Sequence, residues 1–365
     1  MDNSRMDLHS WCGCLYEENL LFPNIDFNSF CSINLHDLTV NYIMMNPYES
    51  KDAFGLYAHG LQYGDISLFF PNNCRQIAVV ERKNSCYRWI EIPLGISNAF
   101  YASAGEILNN SDVYLFPQKM DMGIWKIDIR DYTIKRCDDL NKLIEEDEQI
   151  PGSSFIDIGD GKGAYVTLDN SLRVFDIKTK DTKKYTFDEK YSLFRCFFHE
   201  DDFWFTQNKS TTILRWNIKK DFITEYSPLE EINWFRDGIP YSKLCFLNDK
   251  AIVLNNSIYD VMELYPERPE KGIVKAFSYP EGFGVSPGRL VEFAAVFDAF
   301  EIIDNKLYLI PSCADRMLVY DILTEKVNTV DFSINTEQLS FEPMINNYYL
   351  ENPFYSLKKF INMVV

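Results

Sequence analysis

Basic charge is scarce in this chain. Against 54 Asp and Glu stand only 36 Lys and Arg, which gives a net charge of −18 and a pI near 4.7. A surface this acidic repels phosphate backbones and anionic bilayers, so neither nucleic acid nor membrane is expected as a partner. Long apolar runs are also missing, and no stretch approaches the ~18 residues of a transmembrane helix. The start, Met1 to Arg5, lacks a basic segment followed by an apolar one, so no secretory leader is expected. Several chemical signatures are absent: no Cys-x-x-Cys pair, no phosphate-binding loop, no His-Glu-x-x-His helix. Histidine is down to four residues, with no third one at ligating spacing, so no metal and no cofactor are expected. Helical periodicity is confined to 137–148 and 353–363.

What is present is apolar, aromatic and repetitive. Apolar residues make up 46% and aromatics 15%, enough for a large core, with most aromatics read as packing. Nine cysteines in a leaderless chain, most of them inside apolar patterns, read as reduced thiols and a cytoplasmic location. The acidic runs Glu145 to Glu148 and Glu200 to Asp202 read as solvated loops.

Four segments end alike: Leu21-Phe22-Pro23, Phe69-Phe70-Pro71, Leu115-Phe116-Pro117 and Leu309-Ile310-Pro311. Proline is tolerated at a strand end, where no ladder N–H is required. Before each apolar run comes a polar turn, such as Asn110-Ser111 or Asp304-Asn305, and before the turn another apolar run, which together make a hairpin signature. Three copies without the proline fit between the third and the last, with second strands at 164–168, 203–206 and 251–254. A third strand closes with an acid or amide before Ile or Leu. Examples are Ser32-Ile33-Asn34-Leu35, Trp89-Ile90-Glu91-Ile92, Lys126-Ile127-Asp128-Ile129 and Val319-Tyr320-Asp321-Ile322. A more polar fourth strand follows, suited to an outer edge. Seven such units predict an all-β chain: a seven-bladed β-propeller of four-stranded antiparallel blades over 1–332. Residues 333–365 are expected to pack on it as a C-terminal extension. Blade seven carries all four of its strands, so ring closure does not require strand exchange with the N-terminus.

The stretch Leu307 to Val330, reading Leu-Tyr-Leu-Ile-Pro and then Leu-Val-Tyr-Asp-Ile-Leu-Thr-Glu-Lys-Val, resembles a propeller repeat of kelch-like, quinoprotein-like and YVTN-type proteins. Over roughly residues 10 to 332 the chain resembles leaderless bacterial seven-bladed propellers of unassigned function. It departs from true kelch blades in having no Gly-Gly pair, and from WD repeats in having no Gly-His and Trp-Asp signature. The resemblance implies the fold and assigns no catalytic residue.

A propeller presents ligands along its axis, on the face holding the loops between strands two and three and the links between blades. After the second strands come Asn24, Asn72 with Asn73, Gln118, Asn170, Gln207 with Asn208, Asn255 with Asn256, and Ser312. Amides offer donor and acceptor to a polyol or peptide, and they are also ordinary turn residues. The links into the first strands carry His9, His59, Tyr101, Arg195, Trp234, Arg236, Asp237 and Asp298. His9 and His59 fall at equivalent points of blades one and two, which suits a channel mouth. Arg195 and Arg236 could clamp a carboxylate or phosphate, or pair with a neighbour such as Asp237. Cys12-Gly13-Cys14 puts two thiols on one strand face, which reads as packing.

The ligand-binding candidates are therefore His59, Tyr101, Arg195, Trp234, Arg236, Asp298, Asn72 and Gln118. The reading is a non-catalytic binding or scaffold propeller that recognises a protein segment or glycan on its axial face. The alternative is an enzyme acting on a sugar or other small molecule, with channel histidines or acids as acid and base. Convergent His, Arg and acid side chains in a deep axial site would favour chemistry. A flat face with an exposed aromatic patch would favour a protein partner.

Overall fold

The structure, a computed structural model, describes residues 5–92, 103–117, 123–144, 155–208, 210–229, 241–255, 260–285, 296–335 and 337. Seven antiparallel sheets of four strands follow one another along the chain, each with its strands in sequence order. Blade one comprises Cys14–Tyr16, Asn19–Pro23, Phe30–Asn34 and Val40–Met44. Blade seven comprises Phe297–Ile303, Lys306–Pro311, Arg316–Asp321 and Val327–Asp331. First strands contact one another in five of the seven successive blade pairs, which places them innermost, while outer strands such as Thr182–Thr186 are largely exposed. The chain is a seven-bladed β-propeller.

Turn chemistry sets the hairpins. Between strands one and two, both central residues take positive φ in Asp160-Gly161, Glu200-Asp201 and Asp304-Asn305. Such turns match the right-handed twist of paired strands. The acidic run at 200–202 is only partly a solvated loop. Asp202 is buried and accepts from Arg215 Nε at 2.5 Å, closing a network that reaches Glu267 of blade six.

Blade two corrects one sequence assignment. Its third strand is Gln76–Glu81, fully apolar at its centre, and the segment containing Trp89 and Ile90 belongs to the fourth strand, Cys86–Glu91. Trp-Ile-Glu-Ile copies the third-strand pattern because this outer edge keeps Trp89 and Ile90 half-buried against two neighbouring cores. Within the expected helix at 137–148, a 3-10 turn forms at Asp138–Leu143, burying Leu140 and Leu143 between blades three and four, and 145–148 lies outside the described residues. The other helical segment, 353–363, lies outside the described residues. No helix among the described residues is long and apolar enough to cross a membrane.

The core is divided into seven apolar clusters, one at each blade-to-blade interface. Aromatic pairs bridge several: Phe30–Phe69 at 5.2 Å, Phe116–Phe155 at 4.6 Å, Trp204–Phe246 at 5.3 Å and Phe277–Tyr320 at 5.2 Å. Cys12 and Cys14 pack into the cluster between blades one and two. All nine cysteines are free thiols.

The seventh interface closes the ring. Leu20, Phe22, Cys31 and Ile33 of blade one pack on Tyr308, Ile310, Met317 and Val319 of blade seven. No strand is exchanged between these blades, but the two ends of the ring are clasped by a separate ribbon. In it Arg5–Asp7 pairs antiparallel with Ser333–Asn335. Leu8 N–H continues the pairing to Phe332 C=O at 2.9 Å, and the Phe332 ring meets Phe22 at 4.7 Å. Residues 333–335 are thus part of the closure.

Phe332 is fully buried at this junction. Phe332→Ala is expected to cost about 3–5 kcal/mol, read as a lower urea midpoint. Phe222→Ala, on an exposed edge position, should stay within about 0.5 kcal/mol of wild type.

Candidate functional site

Inner strands meet near the axis, and two glycines record how closely. A Cβ built on Gly105 of blade three would lie 2.6 Å from Phe155 O of blade four. One on Gly60 of blade two would lie 2.9 Å from Cys14 Sγ and 3.2 Å from Gly13 O of blade one. Only glycine permits backbones to come this near.

The start of the inner strand is also irregular in a repeated way. Pairing slips by one residue between Tyr57 and His59, Ser103 and Gly105, Leu193 and Arg195, Tyr241 and Lys243, and Phe297 and Ala299. In each case one extra residue sits opposite the end of the second strand, and the residue before it pairs with Pro71, Pro117, Gln207, Asn255 or Pro311. A bulge interrupts the ladder and re-aims side chains. Proline is tolerated at its edge, and Gln207 and Asn255 occupy the same position in the copies that lack it.

His59, Arg195 and Lys243 are each the first residue after such a bulge, and Asp298 is the extra residue of blade seven. Glu106 and Glu301 follow further along their inner strands. Lys243 acts electrostatically on Cys12, His59, Glu106 and Glu301, which belong to blades one, two, three and seven. Reach between blades that are not neighbours requires side chains that share the centre of the ring.

The meeting point is not dry. His59 and Glu106 keep 19% and 17% of their side chains accessible, with Nδ1 to Oε2 at 3.6 Å. Burial nonetheless dominates their chemistry. It pushes the Glu106 carboxyl up to about 7, with Lys243 pulling it down and Asp157 pushing it further up. Glu301 rises to about 7 for the same first reason, opposed by Lys243. His59 falls to about 4, through burial and then the charges of Lys243 and Arg195. Burial lowers Lys243, opposed by Asp298 and aided by Arg195, and it lowers Arg195, opposed by Asp298. Burial therefore draws the imidazole and both carboxyls toward their neutral forms and weakens the hold of both basic groups on their protons.

The cations are anchored on backbone. Arg195 Nη1 donates to Ser242 O at 2.9 Å, and Lys243 Nζ donates to Asp298 O. Arg195 Nε and Glu106 Oε2 are buried without a hydrogen-bond partner. Cys12 at the edge of this space is a thiol raised by burial, which does not suit a nucleophile.

Of the residues singled out from sequence, His59, Arg195 and Asp298 meet at the axis. His9 does not. It is buried beside the clasp, Nδ1 2.7 Å from Asp26 Oδ2. Asn72 lies on the rim with its Nδ2 donating to Gly55 O at 2.9 Å. Other rim amides also stitch loops to links: Asn73 Nδ2 donates to Phe54 O, Asn170 Nδ2 to Asp188 O, and Gln207 Oε1 accepts from Ser192 N–H. Tyr101, Gln118, Trp234, Arg236 and Asp237 lie outside the described residues. Among the described residues, no three His, Cys, Asp or Glu side chains converge as metal ligands would.

Glu106, Lys243 and Glu301 were not singled out from the sequence. A usable signal existed, since each is an ionisable residue inside a short, mostly apolar inner strand. A further motif, Gly284-Val285-Ser286-Pro287-Gly288, has the spacing of a nucleophile elbow. That elbow needs a strand-to-helix turn, and residues 286–288 lie outside the described residues.

No protein-family model and no curated protein matches the chain. Solved structures share its shape. It is similar to the computationally designed Ika8 protein, with TM-score 0.53, 12% identity, and 88% of this chain and 86% of that one covered. It is similar to the RRP9 WD40 repeats, with TM-score 0.57, 10% identity and 85% and 91% coverage. An extracellular domain of a hybrid two component system from B. thetaiotaomicron gives TM-score 0.57 at 8% identity. There 87% of this chain spans 40% of that one. These likenesses concern the fold.

Glu106 generates a stability prediction with a definite sign. Its folded carboxyl titrates at about 7, against an ordinary 4.5. Between those values the folded state keeps a proton that the unfolded state has lost, so this contribution is lost as pH rises through 7. His59 acts oppositely, losing stability as pH falls through about 4. Glu106→Gln removes only the first effect. Relative to wild type, its unfolding free energy should climb by about 1–3 kcal/mol from pH 5 to pH 8, in parallel urea melts. A difference that stays flat with pH would contradict the assignment.

Proposed function

We propose that this propeller is a binding module that takes a saccharide unit of a glycan in its axial space. The observation that supports the reading is the convergence of His59, Glu106, Arg195, Lys243 and Glu301 from five different blades. Donors and acceptors brought together from several blades at a partly accessible centre suit a compact ligand that is hydroxylated on every side. A protein segment would instead be met by an exposed apolar or aromatic patch. The large exposed apolar residues described here, such as Leu38, Leu168, Phe222 and Leu323, come from turns, edges and loops of different blades.

One observation favours a second reading, chemistry on the same ligand. Burial raises the Glu106 carboxyl to about 7, which lets it give up a proton near neutral pH, and His59, 3.6 Å away, is kept from protonating by burial and can accept one. A proton donor beside a proton acceptor is the arrangement that acid–base catalysis on a sugar needs.

A thermal-shift screen with mono- and disaccharides tests the binding reading. At least one should raise Tm, since a ligand at 100 times its Kd adds about 2.7 kcal/mol to the folded state. The shift should shrink in both Lys243→Met and His59→Ala. A saccharide whose shift is unaffected by both changes would place its site elsewhere. Turnover of the bound saccharide that is lost in Glu106→Gln, while binding persists, would select the catalytic reading.

A further inference from the structure

We infer that the saccharide taken at the axis carries a carboxylate, held between Arg195 and Lys243, and that it binds together with protons on the facing carboxyls Glu106 and Glu301. This rests on the saccharide reading above and adds the charge of the ligand and its control by pH.

The two cations stand at the same structural position in neighbouring blades, each the first residue after the bulge of its inner strand. Both are oriented by backbone carbonyls, Ser242 O and Asp298 O. Among the described residues neither lies within ion-pair distance of a carboxylate, in contrast to Arg215 with Asp202 or Lys250 with Glu263. Their charges disfavour one another, as Arg195 lowers Lys243. Two like charges held together away from bulk water are costly, and an anion between them removes that cost. Arg195 Nε, buried and without a partner, supplies an unused donor. A guanidinium fork matches the two oxygens of a carboxylate, and an ammonium adds a second point of attachment. Asp298 acts on both cations. With Glu106 and Glu301 protonated, two positive charges and the one negative charge of Asp298 leave a balance of one, which fits a singly charged carboxylate better than a doubly charged phosphate.

The facing side sets the proton requirement. Glu106 is faced by His59, Asp157 and Lys243. Glu301 is faced by Lys243, with Cys14 beside it. Ionised, the two glutamates would repel an incoming carboxylate. Protonated, they become O–H donors toward it or toward sugar hydroxyls. His59 stays neutral throughout this range and adds no charge.

The test is calorimetric titration of the full chain with glucuronate, glucuronate methyl ester and N-acetylglutamate, at pH 6 and pH 8. Glucuronate should bind about tenfold or more tighter than its ester, the size of one charge-assisted contact. Its affinity should fall roughly tenfold from pH 6 to pH 8 for each carboxyl that must be protonated. Glu106→Gln, which fixes an uncharged group at that position, should lose much of that pH dependence. Lys243→Met should erase the preference for acid over ester, with folding checked by its circular dichroism. Acid and ester binding equally, or an affinity flat with pH, would overturn this inference and leave the saccharide site standing. Binding of N-acetylglutamate alone would overturn the sugar class and this inference with it. Binding of none of the three would overturn both readings.

Discussion

Everything in this molecule depends on closing the ring. Each blade is a thin sheet with two apolar faces, and a sheet can bury both only between two neighbours. Seven interfaces are therefore needed for seven blades, and the last must form between segments almost a full chain length apart. Phe22, Tyr308, Ile310 and Met317 supply its apolar core, and Arg5–Asp7 with Ser333–Asn335 holds the ends together. Such a contact stabilises the ring against a large loss of chain entropy, since the two sides are joined only through the whole propeller.

Closure has a chemical consequence. Drawing seven inner strands to one axis leaves room for glycine alone where backbones touch, at Gly60 and Gly105. It also collects the polar residues that the inner strands carry. A lysine, an arginine, a histidine and two glutamates on separate blades would be unrelated surface groups in an open array. In the closed ring they share one partly desolvated space, and their proton affinities move toward neutrality or away from their charged forms. The tension between burial and charge is held by the fold as a whole, since no single blade contains it.

The architecture was legible in the sequence because hairpin turns and strand ends have local chemistry. Asp304-Asn305 and the prolines at 23, 71, 117 and 311 announce themselves without any long-range contact. The proline marked more than a strand end, since in three blades it also sits across from the bulge that aims residues at the axis. The site was legible only in part. His59, Arg195 and Asp298 stood out as rare residues at blade entries, but His9 matched that pattern and went instead to Asp26. Glu106, Lys243 and Glu301 carried only a weak mark, an ionisable residue in a mostly apolar strand, because one-residue bulges and the convergence of distant blades cannot be seen from one segment. In blade two the same limit exchanged two strands: Trp89 and Ile90 look interior, and the neighbouring clusters that half-bury them cannot be seen from their own segment.

The central claim is that side chains from blades far apart in sequence share one axial space. A double-mutant cycle on Glu106 and Lys243, from blades three and six, addresses it most directly through the unfolding free energies of Glu106→Gln, Lys243→Met and the double variant at pH 8. A shared axis predicts a coupling of about 0.5 kcal/mol or more, with the double variant less destabilised than the sum of the single ones. Strict additivity would mean that the two side chains do not meet, and would contradict the account.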